Sequence, residues 1–163
     1  MQRRAVLLLS AVAALLSACG FELRRAPVLP FRSIALVGFA PQSALATALR
    51  QQLAAASVQV VEAPARAEAV FEALVDSREK AVVASTAAGQ VREVQLRVKL
   101  RFRVATPTGR LLLAADELLL TRDMSYSESA ALAKVQEEAL LYRAMEGDIV
   151  AQVLRRLAAI GKA

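Results

Sequence analysis

The chain has no histidine and no tryptophan, a single cysteine, and aromatic residues at only 4% of its 163 positions. Each scarcity removes a class of chemistry. Without imidazole, the common nucleophile–base pairs are unavailable, and a nitrogen- or sulfur-ligated metal site would have only Cys19 to work with. Glu137 and Glu138 are neighbours in a helical pattern. They diverge by about 100° and cannot face each other as an acid–base pair. No glycine-rich phosphate loop is present among the six glycines. Long apolar runs are missing as well: the longest, Ala5 to Leu16, falls short of the roughly 20 residues a membrane-crossing helix needs. These absences argue against an enzyme and against a helical membrane span.

What stands around the lone cysteine is informative. Arg3 and Arg4 precede the apolar run, which ends in Leu16-Ser17-Ala18-Cys19. A charged stretch, an apolar stretch and small residues at a cleavage site form the pattern of a secretory signal. The four residues ending in Cys19 resemble the lipobox of bacterial lipoproteins. That resemblance implies removal of residues 1–18 and a Cys19 carrying N-acyl and S-diacylglycerol lipid. Such multiple chains anchor stably where one chain does not. Acylation also removes the liability of an unpaired thiol in an oxidising compartment. Gly20, in place of the aspartate that marks inner-membrane retention in enteric bacteria, implies the outer membrane.

The formal net charge is +6, with 21 basic and 15 acidic residues, and the signal accounts for only two of the basic ones. An exported, tethered domain of this balance meets anionic lipid rather than nucleic acid. Residues 19–32 carry Pro27 and Pro30 and read as a tether, and residues 33–161 suit one domain.

Within that domain, Ile34, Leu36 and Val37 predict a buried strand, with Gly38 marking a bulge at its end. Leu45, Leu49 and Leu53 predict an amphipathic helix over 42–56, with Pro41 in its first turn. Residues 58–61 fit either a short strand or an extended connection. Residues 68–84 fit a bent or bulged strand, and Ala87-Ala88-Gly89 a hairpin turn. The clearest signal follows: Val94, Leu96, Val98, Leu100, Phe102 and Val104 alternate with Glu93, Gln95, Arg97, Lys99, Arg101 and Arg103. Period two puts one set in a core and the other in water. After the turn Thr106-Pro107-Thr108-Gly109, a strand from Arg110 to Arg122 is apolar on both faces. Leu111, Leu113 and Leu119 fall on one face, and Leu112, Leu118 and Leu120 on the other, which needs a cover. Ser125 and Glu128 form a capping-box pattern at the start of a long helix whose stripe runs through Leu132, Val135, Ala139, Tyr142, Ile149, Val153, Leu157 and Ile160, with a kink expected at Gly147 and an end near Gly161. The expected fold is a two-layer α+β sandwich of about four strands, covered on one face by two helices.

Four short motifs in this order, Cys19-Gly20-Phe21-x-Leu23-Arg24, Ala48-Leu49-Arg50-x-Gln52-Leu53, Ala131-Leu132-Ala133-Lys134 and Leu154-Arg155-Arg156-Leu157, resemble the LPS-assembly lipoprotein LptE family. The chain departs from that family in having Glu22 for a histidine and Ala87-Ala88 where an arginine can precede the hairpin glycine. The resemblance implies no enzymatic activity and no cofactor beyond the lipid on Cys19. It implies an outer-membrane lipoprotein, facing the periplasm, that occupies the lumen of the LptD β-barrel, supports its assembly and binds lipopolysaccharide. Under it, Arg97, Lys99, Arg101 and Arg103 are candidate phosphate contacts, as is Lys134, which matches a family lysine. Leu112, Leu118 and Leu120 are candidates for the barrel contact. The basic ladder equally suits a solvated strand face that discourages aggregation. An auxiliary lipoprotein of a phospholipid-transport system is the alternative reading.

Overall fold

The strictly alternating stretch organises the structure, a computed structural model that describes residues 28–160. It forms β4 (Val91–Ala105), paired antiparallel with β3 (Ala69–Ser85) on one side and β5 (Leu111–Ser125) on the other. Beyond β3 lie β1 (Ser33–Val37) and β2 (Gln59–Val61), both parallel to their neighbours, in the order β2-β1-β3-β4-β5. The sheet therefore has five strands rather than about four, because residues 59–61 pair with β1. Two helices complete it: α1 (Ala44–Ala55) and α2 (Ala131–Ala159).

Six β4 side chains, Val94 through Val104, are buried to 2% exposure or less. They share one core with Leu45, Leu49 and Leu53 of α1 and with Tyr142, Met145, Ile149, Val153 and Leu157 of α2. Each such burial is worth about 2 kcal/mol. Phe71 stacks between Phe39 and Phe102, at centroid distances of 5.7 and 4.7 Å, and so carries the core across β3.

Local chemistry sets the ends. Pro41 lies in a turn before α1 rather than in its first turn, and Ser43 caps the helix by accepting from the Ala46 amide. Gly38 has φ +79°, and a Cβ there would collide with the Ala73 carbonyl, so only glycine lets β1 leave past β3. The Ser125–Glu128 capping box does not form. Ser125 stays in β5 opposite Glu93, and α2 starts at Ala131 after an Ala130 N-cap that provides no side-chain hydrogen bond. The helix runs unbroken through Gly147, and its expected end at Gly161 lies outside the described residues. Leu132 and Val135 are 86% and 64% exposed, so the buried stripe starts only at Tyr142.

The apolar faces of β5 are resolved by pairing. Leu118 stands opposite Leu100 and Leu120 opposite Val98, and directly paired residues share a face. Leu118 is 5% exposed, and Leu112 and Leu120 pack half-buried against the core. The expectation that these three form an open patch is thus corrected. The exposed leucines are Leu111 and Leu119, at 54% and 52%. A bulge between Leu113 and Asp116 shifts the register in between.

Placing a charge inside this face tests the assignment. Val98→Asp and Leu118→Asp should each abolish the cooperative thermal transition of the domain, because neither site offers a partner for a carboxylate. Leu119→Asp should leave the melting temperature within about 3 °C of the parent, the shift expected for a surface change below 1 kcal/mol. Melting followed by circular dichroism decides: a folded Leu118→Asp would reverse the faces of β5.

Candidate functional site

The outward row of β4 is a ladder of cations at steps of about 7 Å, and its neighbours on β3 and β5 determine what charge it presents. Arg103 lies opposite Glu72, and its guanidinium is 2.6 Å from that carboxylate. Lys99 reaches Glu117 on β5 at 3.3 Å. Arg97 stands opposite Glu79 and donates from Nε to Gln95 Oε1 at 2.7 Å. Arg101 lies between Val75 and Glu117 and has no ion pair among the described residues. The four candidates do share one face, yet acids on the flanking strands offset most of the charge. Exposed pairs of this kind contribute about 0–1 kcal/mol each to stability, so their role is to set the surface pattern.

Lys134 belongs to a different place. Its ammonium lies 2.8 Å from Glu137 and donates to Ser125 Oγ at 3.1 Å, and the side chain is only 17% exposed. It sits where β5 ends and α2 begins, away from the outward row of β4. Cys19 lies outside the described residues. Among the described residues no group of three or more Asp, Glu, Cys or His side chains could hold a metal ion.

Sequence reasoning missed a polar tie between α2 and β3. Glu146 is buried to 7% exposure, with Arg78 Nη1 3.5 Å from its Oε1. Arg78 lies over the Tyr142 ring at 3.9 Å, and the Tyr142 hydroxyl donates to the Glu79 carbonyl at 2.7 Å. Lys80 continues the series, 2.6 Å from Glu138. The only sequence signal was Glu146 falling within the apolar stripe of α2. A cavity of about 230 Å³ opens beside it, lined by Ala40 to Leu45, Asp76, Arg78 and Glu146. Burial pushes the Glu146 carboxyl above its usual value of 4.5; Arg78 lowers it, nearby Asp76 raises it and Arg143 lowers it. Burial likewise raises the Tyr142 hydroxyl above its usual value, with Glu138 adding to the effect.

These surfaces sit on a lipoprotein fold of known shape. A lipoprotein B from Nitrosomonas europaea, solved by solution NMR, is 29% identical with a TM-score of 0.74, and the match covers 88% of this chain and 94% of that one. The rare lipoprotein B from Shewanella oneidensis is 25% identical with a TM-score of 0.63, covering 78% and 94%. A minor lipoprotein from Acinetobacter baumannii, at 23% identity and a TM-score of 0.65 over 80% and 93%, shares the fold. No curated protein matches the chain. The class is therefore a lipoprotein domain of α+β type with a five-stranded sheet and two helices. Residues 31–157 match the LptE lipopolysaccharide-assembly model, and the chain belongs to that non-enzymatic family.

The buried carboxylate gives a signed pH effect. The folded protein holds the Glu146 proton more tightly than the unfolded chain does. Stability therefore falls as pH rises from the ordinary carboxylate range through the raised value, and stays lowered at neutral pH. Glu146→Gln should raise the melting temperature at pH 7 and leave it unchanged at pH 4, because only above the raised value does the folded protein hold a buried carboxylate charge. Thermal melts of both proteins between pH 4 and 8 check this; a lower melting temperature at pH 7 would show that the Arg78 pair outweighs the burial cost.

Proposed function

We propose that the chain is an outer-membrane lipoprotein, acylated at Cys19, which supports assembly of the LptD β-barrel as its luminal plug and binds lipopolysaccharide on its way to the cell surface. Membership of the LptE family carries this reading. The outward sheet face supports it: a transmembrane barrel is polar inside, and a face alternating Arg103 and Glu72, Lys99 and Glu117, Arg97 and Glu79 presents both signs of charge to such a wall. None of the described helices is long and apolar enough to cross a membrane, and the lipobox resemblance ending in Cys19 supplies the anchor in this reading. Membership of the LptE family likewise supports the periplasm-facing placement.

Copurification tests the partner. The full-length protein should bring down a large β-barrel in stoichiometric amount from detergent-solubilised outer membranes, while Cys19→Ala should lose palmitate incorporation and outer-membrane attachment. Absence of the barrel together with bound phospholipid would favour the phospholipid-transport reading instead.

The ligand is tested on the purified soluble domain. Replacing Arg97, Lys99 and Arg101 together by Glu should weaken lipopolysaccharide binding by about tenfold or more at low salt, with less difference at physiological ionic strength, where exposed charges are screened beyond about 8 Å. Lys134→Glu probes the second position. If it alone reduces binding, with circular dichroism unchanged, the β4 ladder is a solvated face and the headgroup lies at the start of α2.

A further inference from the structure

The cavity beside Glu146 lies where β1 has left the sheet. β1 pairs with β3 only from Ala69 to Glu72, and the chain after it returns to β3 at Asp76, whose Oδ2 accepts from the Ala40 amide at 3.2 Å. The bulge between Ala73 and Val75 sets Asp76 and Arg78 opposite Leu100 and Val98, on the helix side of the sheet. Glu146 joins them from α2. Gln42, also in the lining, holds φ +58°, a left-handed conformation that a side-chain-bearing residue keeps only where its surroundings fix it.

Glu146 is 7% exposed, and its Oε1 is buried without a hydrogen bond. Arg78 does not supply one: its Nη1 stands 3.5 Å away, and its guanidinium lies over the Tyr142 ring at 3.9 Å. A buried acceptor left unpaired is costly. Asp76 forms no ion pair among the described residues, and its charge adds to that of Glu146. Two carboxylates against one guanidinium leave the lining short of one positive charge. Ser43 caps α1 with its own hydroxyl, so the helix end is not what lacks a partner. A divalent ion takes about six or more oxygen ligands, and among the described residues no group of three or more Asp, Glu, Cys or His side chains could hold a metal. A primary ammonium asks for less, since it carries three N–H donors on a single charge. Ala40, Pro41, Ala44 and Leu45 add aliphatic lining for a short hydrocarbon stem, and about 230 Å³ is room for several waters or one small amine.

We propose that this cavity binds the ammonium group of a small primary alkylamine, with Glu146 Oε1 and the Asp76 carboxylate accepting its N–H donors and the aliphatic lining holding its stem. The ammonium gives the buried carboxylate the hydrogen bond that Arg78 leaves unmade. The site is separate from the lipopolysaccharide and barrel readings, because none of its residues belongs to the β4 ladder or to the start of α2.

The probe is n-butylammonium, added at pH 8 to the isotope-labelled mature protein in detergent and followed by NMR. Tetramethylammonium at equal ionic strength is the control, because it has the same charge and no N–H. The amides of Ala40, Gln42 and Ala44 should shift saturably with butylammonium, with a Kd of about 1 mM, the scale open to so small a ligand, and should not move with tetramethylammonium. Glu146→Gln and Asp76→Asn should each weaken binding by about tenfold or more. Glu146→Gln is expected to be the more stable protein at neutral pH, so its loss of binding is not a loss of fold, and circular dichroism checks both variants. Parent-like affinity in either variant overturns the proposal. So does an equal response to the two cations, which would make the effect one of ionic screening. Saturable shifts with calcium but not with butylammonium would replace the ammonium site by a metal site, and no saturable shift with either would show that the cavity holds water only.

Discussion

The register of β4 is the constraint on which the other elements depend. It is hydrogen-bonded to β3 and to β5 along nearly all its length, and its inward residues Val94 to Val104 are at 2% exposure or less. A one-residue slip would carry that entire set into water and bring Arg97, Lys99, Arg101 and Arg103 into the core. β3 and β5 must therefore place Phe71 and Leu118 on the inward side, and Glu72 and Glu117 on the outer side. Where their sequences do not allow it, they bulge: between Ala73 and Val75, near Ala84, and between Leu113 and Asp116.

This dependence explains which features were legible in the sequence. Strict alternation in β4 revealed both its faces, and spacing by four revealed α1. The leucine runs of β5 carry no such parity, since neighbouring leucines point both ways. Only the pairing of Leu118 with Leu100 decides, and that lies 18 residues away across a turn and a bulge. The three-residue β2 was too short for any period to emerge, and its pairing with β1 made it a strand. Ser125 and Glu128 satisfied a local capping rule, but extending β5 opposite Glu93 prevailed. For Leu132 and Val135 the helical phase was right; phase alone does not tell where the sheet beneath ends. In the candidate site, the cationic row was visible in the sequence, but its neutralisation by Glu72 and Glu117 required strand register.

The tie between α2 and β3 lies where cover over β3 thins, although Val94 and Met124 beyond it stay buried at 2% exposure. On one side of it Met145, Ile149, Val153 and Leu157 seal the core. On the other, Val82 and Val135 stay exposed. Arg78, Tyr142 and Lys80 at this boundary present long side chains whose stems cover apolar surface while their polar ends meet Glu146, Glu79 and Glu138.

The outer sheet face and the tip of the β3–β4 hairpin differ in chemistry. The outer sheet face has cations and carboxylates interleaved at strand spacing, Lys99 with Glu117 and Arg103 with Glu72, while Arg101 has no ion pair among the described residues. The hairpin arm, Ala81 to Val91, carries no charged side chain, and among the described residues no strand pairs with its outer side. From Arg101 to Val91 is ten residues along β4, about 34 Å at strand rise. The middle of the outer sheet face and the tip of the hairpin are therefore well separated places on one strand.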